Sequence, residues 1–161
     1  MSRPYLVVLG ERRAIGWVLR EQRMAFPARP RAEVRTLAAG DRLYLYSTRG
    51  AWSNPTRHRG RLFAYATADS SVRALEQPVE IAGRSFHSGC NLQISGVAAY
   101  PGGVELQPLV HLLGAFPKPE SWSVYLRRPL VSLSEGDAAL LDQELAPLLR
   151  DRSEVVSTYP W

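Results

Sequence analysis

Two tryptophans lie in stretches of the sequence that show no regular hydrophobic periodicity. Trp17 stands in an arginine-rich segment of the first third, and Trp52 stands in the polar stretch 48–61. A nucleobase can stack on such a ring, a contact worth about 1–3 kcal/mol. A large apolar ring in a loop needs either a ligand or a docking place on the protein, and the residues alone leave both alternatives open.

Side chains that can read the edge of a base are densest in the same stretch 48–61. Hydroxyl, amide and guanidinium groups hydrogen-bond to base edges, and arginine also binds phosphates through two parallel hydrogen bonds. We therefore predict that Ser47, Thr48 and Asn54 read a base. The candidate phosphate-binding residues are Arg20, Arg49, Arg57 and Arg59.

The net charge of +5 is unevenly distributed along the chain. Residues 1–61 carry 13 arginines against four acidic residues, whereas residues 62–161 carry seven basic and 11 acidic residues. An arginine-rich genome or adaptation to heat would explain the preference for arginine over lysine, but not its concentration in one half. The asymmetry favours binding to a polyanion, with nucleic acid as the first candidate.

Patterns for catalysis or metal binding are weak in this sequence. The three histidines have no metal-ligand spacing, and His87 with Cys90 forms at most half of a zinc site. Gly102 and Gly103 precede no helix, which indicates a turn and not a phosphate loop. The acidic residues after Ser134 fit the solvated face of a helix. We therefore expect a protein without catalytic activity, metal or cofactor.

Length and composition predict a single domain over residues 1–161. A chain of 161 residues with 45% hydrophobic residues can bury a core of its own. No apolar run reaches the roughly 20 residues of a membrane span, so we expect no membrane association. The single cysteine excludes an internal disulfide, and we expect a reducing, cytoplasmic location.

Short strands dominate the hydrophobic pattern. A turn at 100–103 predicts a hairpin between the segments on either side of it. Trp122 opens the last predicted strand, where a core position and a pocket position are equal alternatives. The predicted strands occupy 5–9, 42–47, 62–68, 91–99, 104–109 and 122–126, with an edge segment at 78–86 that ends near Gly83.

Helices are expected to be few. Ser134 precedes two acidic residues and is the predicted N-cap of a C-terminal helix that ends near Pro147. Residues 10–40 are mixed and interrupted by Pro27, and residues 48–61 form a loop. A small β-barrel with helices packed on it fits this order better than a parallel α/β sheet.

The order of these segments resembles the EVE domain, a family of the PUA-like superfamily, which also contains the YTH domains. Three stretches, 47–50, 54–57 and 89–92, are similar to stand-alone bacterial members of that family. The resemblance extends from about residue 5 to residue 149. It is carried by 5–9 with 16–21, by 39–47, by 60–66, and by 122–127 with 133–137.

The resemblance implies an α+β, PUA-like fold: a small mixed β-barrel flanked by short helices, with a C-terminal helix. Such relatives bind modified nucleobases in a pocket and are readers, not enzymes, although some are fused to nucleases. Trp17 matches the tryptophan that forms one wall of the YTH aromatic cage. For the second wall, the segment 80–88 offers Phe86 and His87, so that Trp52 or Phe86 is expected to complete the sandwich.

The residues and the resemblance together predict a non-catalytic reader of 5-methylcytosine or 5-hydroxymethylcytosine in DNA, which flips the base into an aromatic pocket. A separate nuclease or restriction component would be its partner. The alternative is an RNA-binding module of the PUA or ASCH type, for example for N6-methyladenine RNA; a nuclease or base-processing enzyme is the weaker alternative. The predicted nucleobase-binding residues are Trp17, Tyr46, Ser47, Thr48, Trp52, Asn54, Phe86 and Trp122.

Overall fold

The computed structural model describes residues 2–27 and 32–160, and a curled eight-stranded sheet forms the centre of this part of the chain. None of the helices in these ranges is long and apolar enough to cross a membrane. The strands are β1 (Pro4–Leu9), β2 (Arg23–Phe26), β3 (Arg42–Ser47), β4 (Arg61–Ala68), β5 (Arg73–Ile81), β6 (Arg84–Val97), β7 (Val104–Glu105) and β8 (Leu130–Ser132). The helices are α1 (Arg12–Glu21), α2 (Ala32–Arg35), α3 (Trp122–Tyr125), α4 (Glu135–Leu145) and α5 (Arg152–Val155).

The strands follow the spatial order β2-β6-β4-β3-β1-β8, with β5 also paired to β6 and β7 to β4. β1 and β3 run parallel, whereas β3 and β4, like β4 and β6, run antiparallel. The register shifts between Leu45 and Tyr46 and again between Tyr65 and Ala66, and such bulges bend a sheet and increase its twist. The sheet is therefore a curled half-barrel with short helices around it, and the predicted α+β class is confirmed.

The central strands are buried on both faces. In β3, Leu43 and Leu45 belong to one hydrophobic cluster, while Tyr44 and Tyr46 belong to a second cluster on the opposite face. Successive side chains of a strand point to opposite faces, so a strand between two cores must be apolar throughout. This is why β3 is an almost unbroken apolar run.

The parallel pairing of β1 and β3 brings the ends of both strands to one edge of the sheet. Leu9 pairs with Ser47, and the backbone N–H of Thr48 donates to the Leu9 carbonyl at 3.0 Å. Helix α1 begins at this edge, where the Glu11 carboxylate accepts a hydrogen bond from the Arg13 N–H at 2.9 Å and caps the helix. Polar residues that follow either strand therefore meet in one place.

Several sequence predictions agree with the structure. Strands lie at the predicted positions 5–9, 42–47 and 62–68, and residues 48–60 contain no helix or strand. Ser134 caps α4 through a reciprocal pair of hydrogen bonds with Asp137, and α4 ends at Leu145. The strands are confirmed because apolar runs buried on both faces give a strong signal.

The region around Trp17 is helical and not irregular as predicted. Ile15, Val18 and Leu19 are buried and have the i, i+3, i+4 spacing of one helix face, while Trp17 is half-buried. Arg12, Arg13 and Arg20, on either side of this stripe, occupy the exposed face of the same helix. Their number obscured the apolar stripe in the sequence.

The predicted strand 122–126 is also wrong, because Trp122–Tyr125 forms the short helix α3. It follows directly on a 3-10 turn at Pro119–Ser121. A short apolar run has no period of its own that separates a strand from one helical turn. Its neighbours decide the conformation.

Both predicted turn regions differ from the structure. The segments around 100–103 do not pair with each other: β6 ends at Val97, and β7 pairs with β4. Residues 107–112 then form a 3-10 helix.

The expected edge segment 78–86 is instead the end of a long β5–β6 hairpin, whose turn places Ala82 and Gly83 at φ of 52° and 78°. Glycine adopts such angles readily, but alanine is an unusual turn residue there, so the turn signal was weak.

Cys90 is expected to react slowly with thiol reagents. Burial raises its pKa to about 11, so the thiol stays protonated at pH 8, and its side chain is 4% exposed. We expect the native protein to react with a disulfide reagent at pH 8 more than about a hundredfold more slowly than the unfolded chain. Absorbance of the released thiolate, with and without denaturant, measures both rates, and equal rates would contradict this environment.

Candidate nucleic-acid interface

Two neighbouring cavities open beside the edge where β1 and β3 end. The first, of about 450 Å³, is lined by Trp17 and Phe86 and is called the Trp17 cavity. The second, of about 730 Å³, is lined by Tyr46 and is called the Tyr46 cavity. Thr48 and Leu126 line both cavities, which therefore adjoin.

The Trp17 cavity combines two aromatic rings with apolar walls. Trp17 reaches it from α1 and Phe86 from β6, while Met24 of β2 and Ile81 at the end of β5 contribute buried aliphatic surface. Trp17 and Phe86 are far apart in the sequence, and the folded sheet brings them to the same cavity. A flat, partly apolar group fits such a lining.

Arginines accompany both rings. The guanidinium carbon of Arg23 lies 5.3 Å from the centre of the Trp17 ring, and that of Arg84 lies 5.7 Å from the centre of Phe86. Both distances are within the range of cation–π contacts. Arg127 and Arg128, in the segment before β8, also line this cavity. Its rim is therefore basic.

The Tyr46 cavity has a polar group at a buried position. Tyr46 is 1% exposed, and its hydroxyl lies against Gly60, where a Cβ atom would come within 1.8 Å of the Tyr46 Oη. Burial raises the pKa of Tyr46, so this hydroxyl remains a hydrogen-bond donor at neutral pH. The absence of a side chain at Gly60 leaves room for it.

The remaining lining of the Tyr46 cavity is mixed. Trp122 packs edge-on against Phe116, with 6.4 Å between the ring centres, and its half-buried ring also faces the cavity. Gln107 contributes an amide, and the exposed Arg49 and Arg59 contribute positive charge. The cavity thus offers an aromatic surface, hydrogen-bonding groups and cations together.

The structure separates some predicted residues from both cavities. Trp52 packs into an aromatic cluster, with its ring centre 4.9 Å from that of Tyr100 and 5.9 Å from that of Tyr159. Ser47 is buried and donates to the Arg61 carbonyl at 3.3 Å. Of the two alternatives for the second ring beside Trp17, the structure places Phe86 at the cavity, whereas Trp52 is half-buried and packs against the core away from it.

Three other predicted residues lie at the periphery. Asn54 is exposed and accepts a hydrogen bond from Thr56 Oγ1 at 3.0 Å, and Arg57 is exposed on the same loop. Arg20 lies on the outer side of Trp17, where both line a smaller cavity of about 220 Å³. These residues line neither of the two larger cavities.

Sequence reasoning missed several lining residues. Leu126, Arg127 and Arg128 lie within or next to a stretch that carried the family resemblance, but they belong to the half of the chain in which acidic residues outnumber basic ones. Gly60 and Gln107 carry no local signal, because only the fold places them against Tyr46. The pair of adjacent arginines was the one usable sign.

The described residues contain no group of three or more His, Cys, Asp or Glu side chains arranged to hold a metal ion. His87 is exposed and Cys90 is buried, although both belong to β6. Side chains three residues apart in a strand point to opposite faces. The two side chains therefore cannot bind the same metal ion.

Comparison with known proteins yields structural likeness only. No family model and no curated protein matches the sequence. A Rhodopseudomonas palustris protein, Rpa0253, matches with a TM-score of 0.53 and 13% identity, over 91% of this chain and 94% of that one. A Pseudomonas syringae protein, PSPTO5229, matches with a TM-score of 0.55 and 11% identity, over 88% and 99% of the two chains.

Human THYN1, solved in complex with DNA containing 5-methylcytosine, is a third structural neighbour. It has a TM-score of 0.53 and 9% identity, and the match covers 89% of this chain and 98% of THYN1. Such low identity supports the fold and not the function. This chain has the PUA-like fold of THYN1, as the order of its sequence segments predicted.

Proposed function

We propose that this protein is an EVE-type reader of modified bases, which binds DNA containing 5-methylcytosine or 5-hydroxymethylcytosine and holds the flipped base in the Trp17 cavity. The observation that carries the proposal is the meeting of Trp17 and Phe86 at one basic-rimmed cavity of about 450 Å³. The PUA-like fold and the methylcytosine DNA in the THYN1 complex support it.

The cost of flipping a base and the gain from binding it in the cavity are of comparable size. Extruding a base from the stack costs a few kcal/mol. Stacking on an aromatic ring returns about 1–3 kcal/mol per base, and arginine contacts to phosphates add a salt-dependent contribution. Trp17 and Phe86 supply rings, while Arg84 and Arg127 lie at the rim of the cavity. Binding of a flipped base is therefore feasible at this site.

The polar and apolar lining suits a substituted cytosine. Glu11 and Thr48 both line the Trp17 cavity, and Glu11 uses Oε1 for the N-cap hydrogen bond, which leaves Oε2 to accept from the cytosine amino group. Met24 and Ile81 offer apolar surface to a 5-methyl group. A methyl group adds only about 1–3 kcal/mol of discrimination, so unmodified DNA should bind more weakly but still measurably.

We further propose that the protein binds without catalysing a reaction and acts in the cytoplasm beside a separate nuclease. Two acidic residues line the cavities, and each has a structural contact. Glu11 caps α1, and Glu105 forms an ion pair with Arg61 at 3.3 Å. A binding role requires no further general acid or base.

Fluorescence anisotropy with matched oligonucleotides tests the proposed function. Duplexes would carry cytosine, 5-methylcytosine, 5-hydroxymethylcytosine or N6-methyladenine at one position, with an N6-methyladenine RNA alongside, all at one salt concentration. We expect the tightest binding to a modified-cytosine duplex. Equal and steeply salt-dependent binding to every oligonucleotide would mean that the protein binds phosphates without reading a base. A preference for the RNA would favour the RNA-binding alternative.

Single substitutions of Arg49, Arg59 and Arg127 are expected to weaken binding to modified and unmodified DNA alike. Each phosphate contact contributes about 0.9 to the slope of log affinity against log salt, so each alanine variant should lower the slope by about 1. Lys118→Ala is a matched control, because Lys118 is exposed and lines neither cavity. Titrations at four salt concentrations measure the slopes, and unchanged slopes in all three variants would exclude these residues as phosphate ligands.

A further inference from the structure

The Tyr46 cavity is the part of the interface that one flipped base does not occupy. We propose that it holds a second nucleobase, adjacent to the modified one on the same strand, so that the protein reads two unstacked nucleotides. This inference rests on the proposed function, since it takes the Trp17 cavity as the site of the modified base. It adds a second base-binding site and a preference for strand state.

The two cavities adjoin at two shared lining residues. Thr48 and Leu126 belong to the lining of both, so a chain that leaves one cavity enters the other beside these residues. With volumes of about 450 and 730 Å³, each has the size of a small-molecule site. Two consecutive nucleotides are covalently linked, so their bases can enter two adjoining cavities at the same time.

The Tyr46 hydroxyl is a polar group at the lining of the Tyr46 cavity. The Tyr46 hydroxyl donates to and accepts from none of the described residues, although the side chain is 1% exposed and its oxygen lies against Gly60 at the cavity lining. This oxygen is not enclosed by protein atoms, so it is accessible from the cavity. A ligand atom at the cavity floor would supply the missing partner.

The other lining groups specify a base and its phosphate. The Gln107 amide both donates and accepts, as required for the edge of a base, and Trp122 offers a stacking face. Arg49 and Arg59 are exposed at the same cavity and can contact the phosphate that joins the two nucleotides. Glu105 pairs with Arg61 at 3.3 Å, so its charge is partly neutralised.

Two adjacent unstacked bases favour an unpaired strand. In a duplex, extruding one base leaves its neighbours stacked and paired, and a second extrusion repeats the cost. In a single strand, only unstacking opposes entry. The inference therefore predicts tighter binding to a methylated single strand than to the duplex of the same sequence.

Calorimetry with two short ligands tests the second site. The ligands are 5-methyl-dCMP and a DNA trinucleotide with 5-methylcytosine between two thymidines, so that a neighbour exists on either side. We expect the trinucleotide to bind at least about tenfold more tightly than the mononucleotide. Tyr46→Phe and Gln107→Ala should each reduce trinucleotide affinity about threefold to tenfold and leave mononucleotide affinity unchanged, whereas Trp17→Ala should weaken both ligands.

The outcomes separate this inference from the proposed function. If the mononucleotide binds in a Trp17-dependent manner but the trinucleotide gains nothing and ignores Tyr46→Phe and Gln107→Ala, the second site is refuted and the reader function stands. If neither ligand depends on Trp17, the proposed function itself fails. Tyr46→Phe keeps the buried ring, and a thermal melt equal to that of the unaltered protein confirms that lost affinity reflects the hydroxyl. Tighter binding to the methylated duplex than to its single strand would also overturn the inference.

Discussion

Replacing Trp17 with alanine is expected to reduce the affinity for methylcytosine DNA about tenfold to a hundredfold. The indole forms a wall of the Trp17 cavity, and stacking on an aromatic ring contributes about 1–3 kcal/mol per base. The preference for methylated over unmodified DNA should shrink as well, because the ring acts only on a base that has left the helix. Anisotropy titrations of both duplexes measure the two effects.

Trp52→Phe is the matched control for that substitution. Trp52 is half-buried beside Tyr100 and Tyr159 and lines neither of the two larger cavities, so we expect the phenylalanine variant to keep both affinity and preference. Phe86→Ala should reproduce the loss seen for Trp17→Ala, because Phe86 lines the same cavity. An unchanged preference in Trp17→Ala, or a loss confined to Trp52→Phe, would contradict the assignment of the base site.

Asp137→Ala is expected to lower the free energy of unfolding by about 3 kcal/mol. The buried Asp137 carboxylate accepts backbone hydrogen bonds from Gly114 at 2.8 Å, Ala115 at 3.0 Å and Ser134 at 3.4 Å. Its loss leaves these N–H groups without their acceptor and removes one half of the α4 capping box. Urea unfolding followed by fluorescence measures the change.

Glu144→Ala provides the comparison, because Glu144 is an exposed acid on the same helix. Exposed positions of this kind change stability by less than about 0.5 kcal/mol. The segment that Asp137 holds precedes α3, and Trp122 of α3 lines the Tyr46 cavity. A loss below about 1 kcal/mol for Asp137→Ala would mean that the segment is held by packing and not by this carboxylate.

The strands that build the core were predictable because their burial leaves a direct pattern. β1 and β3 have core on both faces, so nearly every position must be apolar. The start of α4 was equally clear, because Ser134 and Asp137 have the spacing of a capping pair. These signals are local, and no knowledge of the rest of the chain is needed to interpret them.

Trp17 and Trp122 were named as candidates, but their helices were not predicted. Ile15, Val18 and Leu19 carried a helical stripe that the surrounding arginines obscured. The run that begins at Trp122 is too short to show a period, and the preceding 3-10 turn determines its conformation. Both residues line one of the two cavities, although the local structure of their segments was not predicted.

The assembly of the interface could not be predicted from the sequence, because it depends on contacts between distant segments. Phe86 lines the same cavity as Trp17 only because β6 pairs with β2 beside α1. Trp52 looked equivalent to Trp17 in the sequence, but it packs against Tyr100 and Tyr159, away from both larger cavities. The resemblance to a family predicted the fold, but only the folded structure shows that Phe86, and not Trp52, lines the Trp17 cavity.

Nuclear magnetic resonance can detect the stacking of a modified base on Trp17 at the ring itself. Each tryptophan indole N–H gives its own signal in a nitrogen-15 correlation spectrum, and a Trp17→Phe sample identifies the one from Trp17. On titration with a 5-methylcytosine oligonucleotide, the Trp17 signal should shift and the Trp52 signal should stay in place, with a smaller Trp17 shift for the unmodified oligonucleotide. A Trp17 signal that does not move when the oligonucleotide is saturating would locate binding elsewhere and contradict stacking on Trp17.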